Sequence, residues 1–299
     1  MSNGTDTQSP PPPVVADVEP EEIARSVFVI PDGRVPLVPN MGIVVGEREA
    51  LVVDTGMGPK NGRRVLDRTR ALTDRPLVLT ITHFHPEHGY GAQAFEEARI
   101  VYNRSQQEEL SDKGVPYLEM FRTFGDAVAE QLEGVELVEP DEVYEDHTSF
   151  DLGGIEVELH HFGPAHTRGD QVVFLPETRV LFTGDLVETR LFPIFPWFPP
   201  DDADVDGSRW IEVLGRLEAL EPEVVVPGHG EVGGPELIRE VRSYLEDVRG
   251  RVRDAAEAGA SRDEITAALE PRIRADYASW DAPEWIGFAI ACFHARLDG

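Results

Sequence analysis

Thr82-His83-Phe84-His85-Pro86-Glu87-His88-Gly89 places three of the chain's nine histidines and one carboxylate within six residues. Leu77 to Ile81, just before it, is apolar except for Thr80, the pattern of a buried strand. The polar cluster therefore begins where that strand ends. His83 and His85 are two residues apart, so in extended geometry their side chains leave the same face. Pro86 forces a turn, which can bring Glu87 and His88 round to a neighbouring point. Imidazole and carboxylate are donors for zinc, iron or manganese. A packed core has no use for so many polar groups at a strand end, because burying them unpaired is costly.

Working outward, three more segments repeat the logic. Ile155–Phe162 leads to Gly163-Pro164-Ala165-His166, Val180–Thr183 leads to Gly184-Asp185, and Val224–Val226 leads to Pro227-Gly228-His229-Gly230. Each is an apolar run, then a tight turn, then one ligand-type residue. One such turn carries little weight; four in order predict a metal pocket at the ends of several strands of an α/β scaffold. Five histidines and two carboxylates exceed what one tetrahedral ion needs and suit two ions sharing a bridging group.

The surrounding pattern fits such a scaffold. Short strands are expected at Val27–Ile30, Met41–Val45, Ala50–Val53, Ala98–Tyr102, Val135–Val138, Ile155–His160, Gln171–Leu175, Val180–Thr183 and Glu223–Val226. Helices are expected over Asn61–Leu72 and Trp210–Leu220, from near Pro235, from a Ser261–Glu264 capping box, and over residues 282–296. Residues 104–133 read as helical or irregular. Residues 1–20 read as a disordered acidic, proline-rich tail, and residues 21–299 as one domain whose residues 234–299 are C-terminal helices.

The chain has 299 residues, 41% hydrophobic and 28% charged, so a sizeable core is available. Asp and Glu number 56 against 27 bases, a formal charge of −29, and Lys60 and Lys113 are the only lysines. Such a surface repels phosphate backbones, so nucleic acid is not an expected partner. No run is long and apolar enough to span a membrane. The N-terminus lacks the pattern of a secretory signal, and the lone Cys292 permits no intrachain disulfide, so a cytoplasmic protein is expected. Cys292 lies in an apolar stretch and is expected to pack in the core.

The ordered motifs resemble the metallo-β-lactamase superfamily, whose hallmarks are His-x-His-x-Asp-His, a later His, an Asp in a Gly-Asp turn and a final Gly-His. The similarity runs from about Val27 to Val232. It implies a four-layer αββα sandwich with the metals at one edge of the sheets. It further implies that His83, His85 and His166 hold a first ion, that Glu87, His88 and His229 hold a second, and that Asp185 bridges them. Asp54, in Val53-Asp54-Thr55-Gly56, matches a position that supports the site from behind. The chain departs from the pattern at Glu87, where the family usually has Asp, and no Cys lies near Asp185.

The chemistry expected of this set is hydrolysis. Two Zn2+ ions, or Mn2+ or Fe, would hold a bridging hydroxide that attacks an ester, lactone, thioester or amide of a small-molecule substrate, with Asp185, Glu87 and Asp54 as the carboxylates of the reaction centre. The alternatives are a mononuclear iron persulfide dioxygenase-like oxidoreductase on the same fold and a non-enzymatic metal-binding protein. Arg168 and Asp170 read as a structural link near His166. Phe192, Phe195, Trp197 and Phe198 either wall the pocket or pack in the core.

Overall fold

The structure, a computed structural model, describes residues 11–200 and 202–297. Seven strands come first: β1 (Glu21–Ala24), β2 (Val27–Ile30), β3 (Met41–Val45), β4 (Ala50–Val53), β5 (Leu77–Thr80), β6 (Arg99–Asn103) and β7 (Glu142–Tyr144). They lie side by side in chain order. Neighbours from β1 to β4 are antiparallel, and those from β4 to β7 are parallel. The parallel part needs crossovers, supplied by α1 (Gly58–Leu72), α2 (Pro86–Gly89), α3 (Arg104–Arg122) and α4 (Asp126–Gln131).

A second group follows: β8 (His147–Asp151), β9 (Glu156–His160), β10 (Val172–Leu175), β11 (Val180–Gly184), α5 (Gly207–Ala219) and β12 (Val224–Pro227). These strands form a sheet in the order β12-β11-β10-β9-β8, antiparallel except for the β11–β12 pair. Helices α6 (Glu236–Glu257), α7 (Arg262–Asp276) and α8 (Trp285–Ala295) complete the chain.

Side-chain alternation separates the layers. On β4, Leu51 and Val53 join Val157, Val173, Val180 and Phe182 between the two sheets, while Ala50 and Val52 face the cluster built with Val65 and Leu110 of the first helices. On β10, Val173 and Leu175 face the first sheet, while Val172 and Phe174 meet Trp210, Leu214, Ile238 and Tyr244 of α5 and α6. Strands buried on both faces read as continuous apolar runs, and β4, β5, β10 and β11 do so. The result is the expected αββα sandwich with extra C-terminal helices. The capping box at Ser261 and Glu264 opens α7, and Cys292 is fully buried.

Two expectations fail. Val135–Val138 forms no strand; its apolar side chains pack on the helical side of the first sheet, Leu137 near Gly114 of α3, without a strand partner. The pairing positions belong instead to β7 and β8, whose polar, half-exposed sequences carry no apolar run to mark them. The expected disordered tail is also corrected over its second half, the first ten residues lying outside the described ones. Val15 is fully buried beside Met57 and Val65. Its amide donates to Asn61 Oδ1 at 2.9 Å, Asn61 Nδ2 donates to the Pro13 carbonyl at 2.9 Å, and Arg68 pairs with Asp17 and Glu19. The compositional reading missed that one valine can anchor the segment. Deleting residues 1–20 is therefore expected to cost about 2 kcal/mol, the worth of one buried valine, and to lower the melting temperature by about 5 °C. An unchanged melting temperature would show that the segment is not docked.

Candidate metal centre

All seven predicted ligand residues converge at the ends of the central strands. β5 runs into Ile81 and Thr82, which deliver His83 and His85; the single turn of α2 turns Glu87 and His88 back toward them. His166 arrives on the loop after β9, Asp185 on the turn after β11, and His229 on the turn after β12. Two groups of donor atoms result, each with its members within 4.8 Å of one another: His83, His85, His166 and Asp185, and Glu87, His88, Asp185 and His229. Every one of these residues is buried. The extra methylene of Glu87 does not take its carboxylate out of the second group.

Hydrogen bonds behind the imidazoles decide which nitrogen faces inward. His166 Nδ1 donates to the Ile194 carbonyl at 2.8 Å, and His229 Nδ1 to the Val38 carbonyl at 3.0 Å. A carbonyl only accepts, so the proton sits on Nδ1 and the Nε2 lone pair points into the centre. His88 Nδ1 donates to Asp54 Oδ2 at 2.9 Å. Asp54 is itself fixed by the Thr82 amide at 2.7 Å and hydroxyl at 2.9 Å, from a left-handed backbone (φ 65°) that aspartate tolerates better than most residues. Asp54 thus supports the site from behind rather than entering it.

The inward atoms are mismatched as a hydrogen-bonded set. His83 Nε2 and His166 Nε2 lie 3.1 and 3.2 Å from His85 Nδ1, three ring nitrogens that one shared proton cannot satisfy. Asp185 Oδ2 lies 3.9 Å from His83 Nε2 and 3.8 Å from His166 Nε2, and Oδ1 lies 3.2 Å from His88 Nε2 and 3.6 Å from His229 Nε2. Both Asp185 oxygens, His88 Nε2 and Glu87 Oε2 are buried without a hydrogen-bond partner. Such a set of orphaned donors suits divalent cations.

Electrostatics divide the set. Burial lowers His88, but Asp185 and Asp54 outweigh it and hold this imidazole well above its ordinary range, so a cation there would displace its proton. Burial holds His83, His85 and His166 below the ordinary imidazole range, His166 at about 4, so these rings are neutral and ready to ligate. Burial pushes Asp185 up, but His88, His229 and His83 outweigh it and hold the carboxyl well below its usual range. Burial pushes Glu87 up to about 7. In chelator-treated protein the unfolded chain takes up protons below pH 6.5 that folded His166 refuses down to about 4, so this group's contribution is lost as pH falls through that window. His166→Gln is expected to flatten the fall in urea midpoint between pH 6.5 and 4 by an amount corresponding to about 3 kcal/mol. Equal slopes for the two proteins would refute a buried neutral His166.

Asn40, Asp32 and Glu188 support the site without having given a local sequence signal. Asn40 Nδ2 donates to the Pro227 and Gly230 carbonyls at 3.0 and 2.8 Å, and Asp32 Oδ2 accepts from the Gly230 amide at 2.8 Å, clamping the His229 turn. Buried Glu188 accepts from the Ile194 amide at 3.3 Å, behind the carbonyl that orients His166. Asp170 accepts from the Thr167 amide and hydroxyl at 2.8 and 2.6 Å and fixes the His166 loop, while Arg168 lies near Asp112 and Asp204. A cleft of about 480 Å³ opens over Glu87 and His229 and is lined by Val35, Pro36, Leu37, Leu191, Ile194 and Trp285, with Arg34, Asp281 and Glu284 beside them. Of the aromatic loop, Phe192 and Phe195 are fully buried against Tyr244 and Trp210, and Trp197 and Phe198 meet Arg296 and Phe288. Core packing took Phe192 and Phe195, while Trp197 is partly buried and Phe198 exposed; the same loop gives the cleft Leu191 and Ile194.

Residues 34–229 match the family model described as the metallo-beta-lactamase superfamily. The chain belongs to that superfamily. Superfamily relatives include the linear primary-alkylsulfatase of Pseudomonas sp. (strain ATCC 19151), 27% identical over 68% of this chain and 44% of the relative. The acyl-coenzyme A thioesterase MBLAC2 of Homo sapiens is 27% identical over 69% of this chain and 78% of the relative. This superfamily member therefore spans less than half the length of the alkylsulfatase and most of the thioesterase. Among solved structures, the fold is shared with a metallo-beta-lactamase from Pontibacter korlensis, at TM-score 0.60 and 23% identity over 77% of this chain and 99% of that one. It is also shared with the stereoselective inverting sec-alkylsulfatase Pisa1 from Pseudomonas sp., at TM-score 0.71 and 16% identity over 93% of this chain and 50% of that one. No helix among the described residues is long and apolar enough to cross a membrane.

Proposed function

We propose that this protein is a dinuclear metal-dependent hydrolase that cleaves an ester, lactone, thioester or amide bond in a small molecule with an apolar portion. The observation that carries the reading is Asp185, which turns Oδ2 toward His83 and His166 and Oδ1 toward His88 and His229, so that one carboxylate could serve both donor groups. His83, His85 and His166 would hold one ion, and Glu87, His88 and His229 the other. Zinc is the preferred ion, and manganese and iron accept the same donors. Cations bound there would supply Lewis acidity and bring the pKa of water from about 15.7 to about 7.

The chain's own residues orient and exclude. Asp54, Ile194 and Val38 keep His88, His166 and His229 aimed inward, so no ring rotation precedes reaction. Leu37, Leu191, Ile194 and Trp285 offer an apolar wall for the substrate's non-reacting part. Support also comes from the relatives, whose names include a thioesterase, an alkylsulfatase and beta-lactamases. A mononuclear iron dioxygenase would use one donor group and leave the other idle.

Elemental analysis with a panel assay tests the proposal. Two zinc ions held by the buried centre, lost together with its ligands on substitution, and turnover of an ester, lactone, thioester or amide are expected. One iron with oxygen uptake would replace the proposal with the dioxygenase, and bound metal without turnover of any class would leave a binding protein.

A further inference from the structure

β8 and β9 carry a second group of ligand-type residues, outside the buried centre. His147, the first residue of β8, lies directly across the antiparallel ladder from His160, the last residue of β9. Their rings stand 4.6 Å apart, tilted by 40°. Glu158 is two residues before His160 on the same strand, so both side chains leave the same face. The alternation agrees, since Val157 and Leu159, on either side of Glu158, are fully buried in the layer between the sheets. One donor atom from each of His147, Glu158 and His160 lies within 4.8 Å of the others.

We propose that His147, Glu158 and His160 form a separate, surface-accessible site for a divalent transition metal ion such as Zn2+. Three donors, two imidazoles and a carboxylate, are what a zinc ion takes from a protein when its fourth position stays open to water or a further ligand. The site is largely preorganised. The ladder sets the His147–His160 spacing. The His160 ring stacks on Phe162 at 5.3 Å and 15°, and its Nε2 already lies 2.9 Å from Glu158 Oε2, so a cation bound by both would take the place of the imidazole proton that now joins them. Arg216 of α5 lies over the Phe162 ring, which ties the stack to the helical layer. Burial and the neighbouring His147 lower the pKa of His160, leaving it a neutral ligand at pH 7 although Glu158 beside it pulls the other way. One carboxylate charge is neutralised by the ion, and the chain's formal charge of −29 draws cations to its surface.

The site sits on the edge strand of its sheet, where β8 has only β9 as a neighbour. A metal joining His147 to His160 would pin that edge strand to the sheet, a cross-link where pairing is otherwise one-sided. It would also clamp the strand end that leads, within six residues, to His166. Neither effect requires the buried centre to be dinuclear or hydrolytic, so the proposal stands apart from the functional reading above.

The test is a comparison of the full chain with His147→Ala/His160→Ala, whose replaced side chains are exposed or half-buried, with Glu158→Gln as a milder second variant. Each protein is titrated with Zn2+ after chelation, by elemental analysis of desalted samples and by calorimetry. The unmodified chain is expected to bind one more equivalent than the double variant, with Glu158→Gln binding that equivalent at least tenfold more weakly. Saturating Zn2+ is expected to raise the melting temperature of the unmodified chain further than that of the double variant, circular dichroism confirming that both are folded. Equal stoichiometry would overturn the proposal whatever the total. So would an extra equivalent that survives in the double variant, which would place that ion elsewhere.

Discussion

Asp185→Ala is expected to empty both halves of the buried centre at once. Each carboxylate oxygen faces a different pair of imidazoles, so its removal takes one donor from each group. Substitution of a residue serving one group, such as His229→Ala, should weaken that ion chiefly. The expected result for Asp185→Ala is loss of both metal equivalents on desalting and a fall in kcat/KM of at least about a thousandfold, because the charge-stabilising groups of the reaction are lost together. Asp185→Asn keeps the shape and removes the charge, and should be almost as damaging. Elemental analysis beside a rate measurement decides it. Retention of two equivalents by Asp185→Ala would show that the ions, if two, are joined by something else.

Gly228→Ala is expected to disable the centre without touching a ligand. The amide of Gly228 donates to the Gly184 carbonyl at 2.9 Å and the Val187 carbonyl at 3.1 Å, drawing the turn after β12 tightly against the turn after β11. A methyl group at residue 228 would overlap Asp185 Oδ1 and come within 2.8 Å of the Gly184 carbonyl carbon and 2.9 Å of the Asp185 amide nitrogen. Two of these three obstacles are backbone, which cannot rotate away. Either the two turns part or Asp185 leaves its place between the imidazoles. Destabilisation of about 3 kcal/mol is expected from the overpacking. Metal affinity should fall about a hundredfold from the displaced carboxylate. Calorimetric metal titration and urea unfolding measure the two effects separately. Normal affinity together with normal stability would mean that the two turns are not packed this closely.

Wherever a strand is buried on both faces, its sequence says so, and β4, β5, β10 and β11 were legible for that reason. The half-exposed β7 and β8 were not, because a strand with one wet face and few apolar residues resembles a loop. Val135–Val138 shows the converse: mostly apolar side chains can pack, here partly buried, without their backbone joining a sheet. The docking of residues 11–20 was hidden because one buried valine and one asparagine do not alter the composition of a proline-rich segment.

The candidate site divides in the same way. His83, His85, Glu87, His88, His166, Asp185 and His229 were readable because turns after apolar strands are where an α/β scaffold gathers its chemistry, and polar side chains there have no packing role. Their order along the chain determined the superfamily resemblance and, through it, the layered sandwich. Tertiary structure alone decided which ring nitrogen faces inward, since that depends on the Ile194 and Val38 carbonyls, 28 and 191 residues away. It alone showed that Glu87 still reaches the second group, that Leu191 and Ile194 rather than the neighbouring phenylalanines line the cleft, and that Asn40 and Asp32 clamp the His229 turn. The reason is physical: residue type and local period set what a side chain can do, but a hydrogen bond or a coordination sphere is made between segments distant in the chain, and their distances exist only once the layers have packed.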